Sequence, residues 1–295
     1  MRVAALLFLL VAAPAVAHDG EVHGPPGWTL DPWLLVPLLA LLAFYLLGLA
    51  QLRRRSELGR AAVNRNALLF LSGWAVLALA LLSPLHEGGE RSFTLHMIEH
   101  ELIMLVATLL LAASRAGGVL AWGLPQPLRN RLLPALHTRL AALWRRLTEP
   151  VTATVLQAAA MWGWHAPVPF ELALESRGWH IAQHASFIAT SLLFWWAMIH
   201  VRGGRSNYGV SALCLFVTSL VGGALGALMA FSSSPWYAPY ARMQLTGIGL
   251  DPATDQQLAG LLMWIPGGLV HAAAALFCLY RWLKAAGDAD ALAAH

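Results

Sequence analysis

Residues 31–55 read DPWLLVPLLALLAFYLLGLAQLRRR, and this stretch decides the fold. Asp31-Pro32 is a helix start, an N-cap residue followed by proline in the first helical turn. From Pro32 to Leu52 no side chain is charged, and Arg53, Arg54 and Arg55 then follow in a row. A helix of about 20 apolar residues matches the ~30 Å hydrocarbon core of a bilayer. Arginines clustered at one end mark the side that stays in the cytoplasm. The segment is expected to span a membrane with its N-terminus outside.

The rest of the chain follows the same pattern. Of its 295 residues 58% are hydrophobic and 12% charged, with mean hydropathy +0.61. A soluble domain carries about 25% charged residues. The composition thus excludes a soluble enzyme, a disordered chain and a secreted disulfide scaffold. Cys214 and Cys278 both fall within apolar stretches, so no disulfide framework is expected. After the first span at about 33–52, apolar stretches recur near 66–85, 95–114, 150–168, 179–201, 208–231 and 256–283. The expected fold is an all-α, polytopic bundle of seven transmembrane helices.

Residues 1–17 read as a cleavable signal peptide, with Arg2 before an apolar run and Ala15-Val16-Ala17 as the cleavage site. Residues 18–295 are then a single transmembrane domain. Arg60, Arg65, Arg115, Arg129, Arg131, Arg139, Arg145, Arg146, Arg202, Arg205, Arg281 and Lys284 fall on the same side as the first arginine triplet. Only Arg91, Arg177 and Arg242 fall on the other. The basic balance is therefore a topology signal and not a nucleic-acid footprint, with the C-terminus in the cytoplasm. Leu128 to Leu147 forms an Arg-rich amphipathic segment, expected on the membrane surface.

The histidines are biased the opposite way. Of twelve, His18, His23, His86, His96, His100, His165, His180 and His184 lie in the outer tail or at the outer ends of spans. Ionisable groups at such depths are candidates for function. His96 and His100 open the third span and His180 and His184 open the fifth, each pair four residues apart. Residues at i and i+4 share a helix face, so each pair offers two imidazoles to one metal ion. All four meet if the third and fifth spans are neighbours. His165, Asp255, Met97 and Met104 are secondary candidates, and Glu99 or Asp255 suits the acceptor role behind a ligating imidazole. Imidazole takes copper, zinc or iron, and thioethers favour Cu(I).

Two other chemistries fit parts of the pattern. His96-Met97-Ile98-Glu99-His100 matches H-x-x-E-H, the inverted zinc-peptidase motif, although no soluble catalytic domain accompanies it. A b-type haem could be gripped by two of His100, His184 and His271, but His271 sits much deeper in its span. In that last span Pro266-Gly267-Gly268 is expected to kink or open the helix.

Taken together, these residues resemble the multi-spanning CtaG family of cytochrome c oxidase assembly factors. The resemblance is carried by Asp31-Pro32-Trp33, Ser83-Pro84-Leu85, Ser92 to His100, Trp162-Gly163-Trp164-His165-Ala166-Pro167, Trp179 to His184, and Asp255-Gln256-Gln257 through Met263-Trp264. It implies a non-enzymatic protein of the bacterial cytoplasmic membrane that serves maturation of a haem–copper oxidase. Copper handling is the implied task, with oxidase subunits and a periplasmic copper carrier as partners. In place of the Ala-Pro-Leu-Leu and Arg-Pro or Gly-Pro segments usual in the family stand Ala107-Thr108-Leu109-Leu110 and Ser114 to Gly118. No proline-induced break is expected there.

Overall fold

The computed structural model describes residues 25–55, 59–200 and 205–293, so the expected signal peptide at 1–17, His18 and His23 lie outside the described residues. Among the described residues every regular element is helical. Helix α1 (Pro32–Arg55) starts as expected, with the Asp31 carboxylate accepting from the Trp33 N–H at 3.0 Å. Helix α2 (Arg60–Leu82) returns, and a short α3 (Pro84–Gly89) follows Ser83. The third apolar stretch contains α4 (Phe93–Glu101), a π-helical turn (Leu102–Ala107) and α5 (Thr108–Ala113). As expected no proline interrupts it, but the π turn carries no sequence signal.

Helices α6 (Gly117–Gly123) and α7 (Gln126–Leu147) come next, α7 covering the Arg-rich amphipathic segment. Helix α8 (Pro150–His165) then ends at Ala166, whose extended backbone before Pro167 starts α9 (Pro167–Glu175). Helices α10 (Arg177–Ile199), α11 (Arg205–Ala230), the one-turn α12 (Ala238–Ala241) and α13 (Pro252–Ala293) complete the chain. Pro266 does not open the last helix, which runs unbroken through it. Losing one backbone hydrogen bond is tolerated where neighbouring helices hold both flanks.

Five segments are long and apolar enough to cross a membrane: Pro32–Arg55, Arg60–Leu82, Phe93–Ala113, Tyr208–Ala230 and Pro252–Ala286. Of the two other expected spans, α8 has only 16 residues, or about 24 Å of rise. Helix α10 is longer but carries His180, Gln183, His184, Ser186, Thr190 and Ser191.

The interior is built where these polar helices meet the apolar ones. Leu77, Ala78, Ile103, Phe187 and Ile188 join α2, the π turn and α10 in one buried cluster. Phe93, Met97, Met161, Phe170, Tyr237 and Met263 form another at the opposite side of α4. Helices α11 and α13 cross so closely that a Cβ on Gly226 would lie 2.7 Å from the Gly260 carbonyl, and one on Gly260 would lie 2.5 Å from the Gly226 carbonyl. Outside this crossing Leu213, Phe216, Leu220, Leu269, Leu276 and Phe277 are exposed, an apolar surface suited to lipid. Cys214 and Cys278 are buried free thiols, in line with the absence of a disulfide framework.

Candidate metal centre

The start of α4 is fixed from two directions. Ser92 caps it, accepting from the Leu95 N–H at 3.3 Å. The Asp255 carboxylate, from the first turn of α13, accepts from the Ser92 hydroxyl at 2.9 Å, the Phe93 N–H at 2.6 Å and the Thr94 N–H at 3.3 Å. These bonds satisfy orphan N–H groups of the helix terminus and place a negative charge at its positive end. Two glycines then let α3 lie flat on α4: a Cβ on Gly89 would stand 3.2 Å from the His96 Cα. His96 and His100 project from this anchored helix toward α10.

Helix α10 meets them with its own pair. Ring centroids of His96 and His100 are 4.2 Å apart and those of His180 and His184 4.5 Å. Between the pairs, His100 is 5.3 Å from His184 and His96 is 6.1 Å from His180. The structure thus brings together the four histidines expected as ligands. It adds His86 of α3, whose ring is 5.0 Å from His180 and 5.7 Å from His184. Ligand atoms of His86, His180 and His184 all lie within 4.8 Å of one another. His86 was visible in the sequence as another outer histidine, but only the fold of α3 onto α4 gives it these neighbours.

Burial is graded across the cluster. His86 and His180 are half-buried at its mouth, while His96, His100 and His184 are buried beneath. Glu99, fully buried, accepts from His86 Nδ1 at 2.7 Å and lies 3.6 Å from His184 Nε2, beyond hydrogen-bond reach. Burial opposes a charge on His86, yet the Glu99 hydrogen bond and the charges of Glu99, Glu90 and Glu87 outweigh it and raise its pKa. With Nδ1–H given to Glu99, the neutral ring of His86 carries its lone pair on Nε2, the arrangement typical of a metal-ligating imidazole.

The same holds for His165 at the end of α8. Its Nδ1 donates to the Met161 carbonyl at 2.6 Å while Nε2 has no partner. His165 lies 6.4 Å from His100. Buried nitrogens without a hydrogen-bond partner also occur on His96, His100, His180 and His184. Leaving one such atom unsatisfied costs about 1–3 kcal/mol. Of these, His180 and His184 stand with His86 at a mutual spacing that suits one cation.

The remaining candidates lie elsewhere. Asp255 is engaged in capping α4, its carboxylate accepting from Ser92, Phe93 and Thr94. Met97 is buried among Phe93, Met161, Phe170 and Tyr237. Met104 falls in the π turn and lines a separate, deeper cavity with Glu101 and His271. His100 packs on Phe187 at 4.8 Å as well as on His96. His271 instead stacks on Trp195 at 5.5 Å.

A polytopic helical membrane protein with a histidine cluster at one end of the bundle is the class this fold and site define. Residues 43–285 match the family model of the cytochrome c oxidase caa3 assembly factor, Caa3_CtaG, and the chain belongs to that family. It is 28% identical over 247 residues to uncharacterised proteins of Mycobacterium bovis and Mycobacterium tuberculosis. That similarity covers 80% of this chain and 36% of each relative, so the chain spans about a third of their length. No solved structure matches.

Proposed function

We propose that this chain handles copper for the assembly of a haem–copper oxidase, holding the ion at His96, His100, His180 and His184. His86 stands at the mouth, oriented by Glu99, and His165 stands ready behind His100. The observation that carries the reading is the meeting of two i,i+4 histidine pairs, each residue with a buried nitrogen that has no hydrogen-bond partner. Among divalent first-row ions such a nitrogen-rich site holds Cu(II) most tightly, and family membership supplies the process that needs copper. The reading includes seven spans, the histidine end outside a bacterial cytoplasmic membrane and the arginine-rich end inside. Copper would arrive from a periplasmic carrier and leave to an oxidase subunit. No bond of a substrate is made or broken, so the protein acts as a carrier and not as an enzyme.

The direct test is the metal content of the purified protein from copper-supplied cells, beside the His96→Ala/His100→Ala variant. Copper near one per chain, lost in the variant while the protein still inserts, supports the reading. Copper unchanged in the variant, or zinc in its place in the wild type, contradicts it.

A further inference from the structure

Below the histidine cluster lies a second chamber with a different donor set. It is a cavity of about 30 Å³, walled by the π turn and helices α8, α11 and α13. A water needs ~10–15 Å³ of such volume, so the space suits one ion or a water or two. Glu101 and His271 line it, together with the thioethers Met104, Met161 and Met263. We propose that this cavity is a second, intramembrane copper site that takes Cu(I) from Glu101, His271 and the methionine sulfurs.

Two orphaned atoms point to a ligand. Glu101 Oε2 and His271 Nε2 are buried without a hydrogen-bond partner, and His271 is only 8% exposed. His271 donates its Nδ1–H to the Gly267 carbonyl at 2.7 Å, so in the neutral ring Nε2 carries the lone pair. Gly267 also makes room for the carboxylate, since a Cβ there would stand 3.3 Å from Glu101 Oε2. Met161 sulfur is at the wall, 3.7 Å from where a Cβ on Gly222 would sit.

Charge and softness then select the ion. No lysine or arginine lines the cavity. An ionised Glu101 would be an uncompensated charge at membrane depth, which is costly. A monovalent cation neutralises it, and thioether sulfur with imidazole prefers soft Cu(I) to hard or divalent ions. The two chambers are also contiguous in the chain. Glu101 follows His100, and Met161 both lines the inner cavity and accepts from the outer His165. The choice of copper rests on the function proposed above, but the inner donor set is independent of the outer one.

The test is Cu(I) titration of the detergent-purified full chain under reducing, anaerobic conditions, in competition with a chromophoric chelator. The wild type is expected to take two equivalents. Glu101→Gln should lose one, and His96→Ala/His100→Ala should lose the other. X-ray absorption at the copper edge should show sulfur scattering in the His96→Ala/His100→Ala protein. That signal should weaken markedly in Met161→Leu/Met263→Leu, a volume-conserving change expected to preserve the fold. Copper stoichiometry unchanged by both Glu101→Gln and the methionine pair, with only nitrogen and oxygen scattering, overturns the inner site and leaves the outer one standing. A single sulfur-bound equivalent untouched by His96→Ala/His100→Ala does the reverse.

Discussion

Glu99 sits between His86 and His184 as the one carboxylate inside a nest of imidazoles. Its role in this account is orientation, fixing which nitrogen of His86 faces the ion. Glu99→Gln keeps an acceptor but removes the charge, and loss of such support typically costs 10–100-fold in metal affinity. Copper affinity in that variant should therefore fall at least about tenfold with stoichiometry retained, as read by chelator competition. A peptidase using H-x-x-E-H would instead lose its chemistry with metal affinity little changed. Asp255 gives the contrasting case: its three accepted hydrogen bonds hold the start of α4. Asp255→Ala should destabilise the protein by about 1–3 kcal/mol, the cost of orphaned buried donors, and lower its thermal midpoint in detergent. The four principal histidines were legible from spacing alone, since i,i+4 pairs share a face whatever the tertiary fold. The parts played by His86 and Asp255 were not, because each depends on a contact between elements distant in sequence.

Helices bring their own lessons. The start signal at Asp31-Pro32 was readable, and α7 matches the amphipathic segment. The π turn at Leu102–Ala107 was not readable, because its composition is that of any apolar helix. It separates two neighbours in sequence, His100 in the histidine cluster and Met104 at the inner cavity, that a regular α-helix would stack on one face. Helix α13 stays helical through Pro266 instead of opening there, and it crosses α11 closely. That crossing rests on glycine. Gly260→Ala would push a methyl into the Gly226 carbonyl and Ala230 N at under 3 Å. It should cost about 1–3 kcal/mol, the range for overpacking, seen as a lower unfolding temperature.

Helix α8 offers a pH test at the same scale. Glu149 caps it, accepting from the Val151 N–H at 3.1 Å, the Thr152 N–H at 2.7 Å and the Thr152 hydroxyl at 2.8 Å. Burial works to raise its pKa, but the hydrogen bonds from Thr152 and Val151 together outweigh it and lower the pKa below its ordinary value. A depressed carboxylate stabilises the fold above its unfolded pKa, and the contribution is lost as pH falls through the folded one. The thermal midpoint of Glu149→Ala should thus trail the wild type at neutral pH, with the gap closing in acid. An equal gap at all pH values would remove the charge from this cap.

Over the whole molecule, the sequence made the class plain: apolar stretches, few charges and arginines gathered at one side describe a polytopic membrane protein. Five helices are long and apolar enough to cross by themselves. Of the other two expected spans, α8 has only 16 residues and α10 carries several polar side chains, and both contribute histidines to the cluster. Function and hydropathy compete there, because a helix that presents His180, Gln183 and His184 to a site cannot also be uniformly apolar. Sequence could place these residues at one depth but could not say which helices are neighbours. The convergence of α4 and α10 supplies that. The most direct measurement is the copper and haem content of the haem–copper oxidase isolated from cells in which His96→Ala/His100→Ala replaces the wild-type chain. The oxidase should keep its haem but be depleted in copper, and the wild-type gene should restore it. An oxidase with full copper in those cells would contradict copper delivery by this chain.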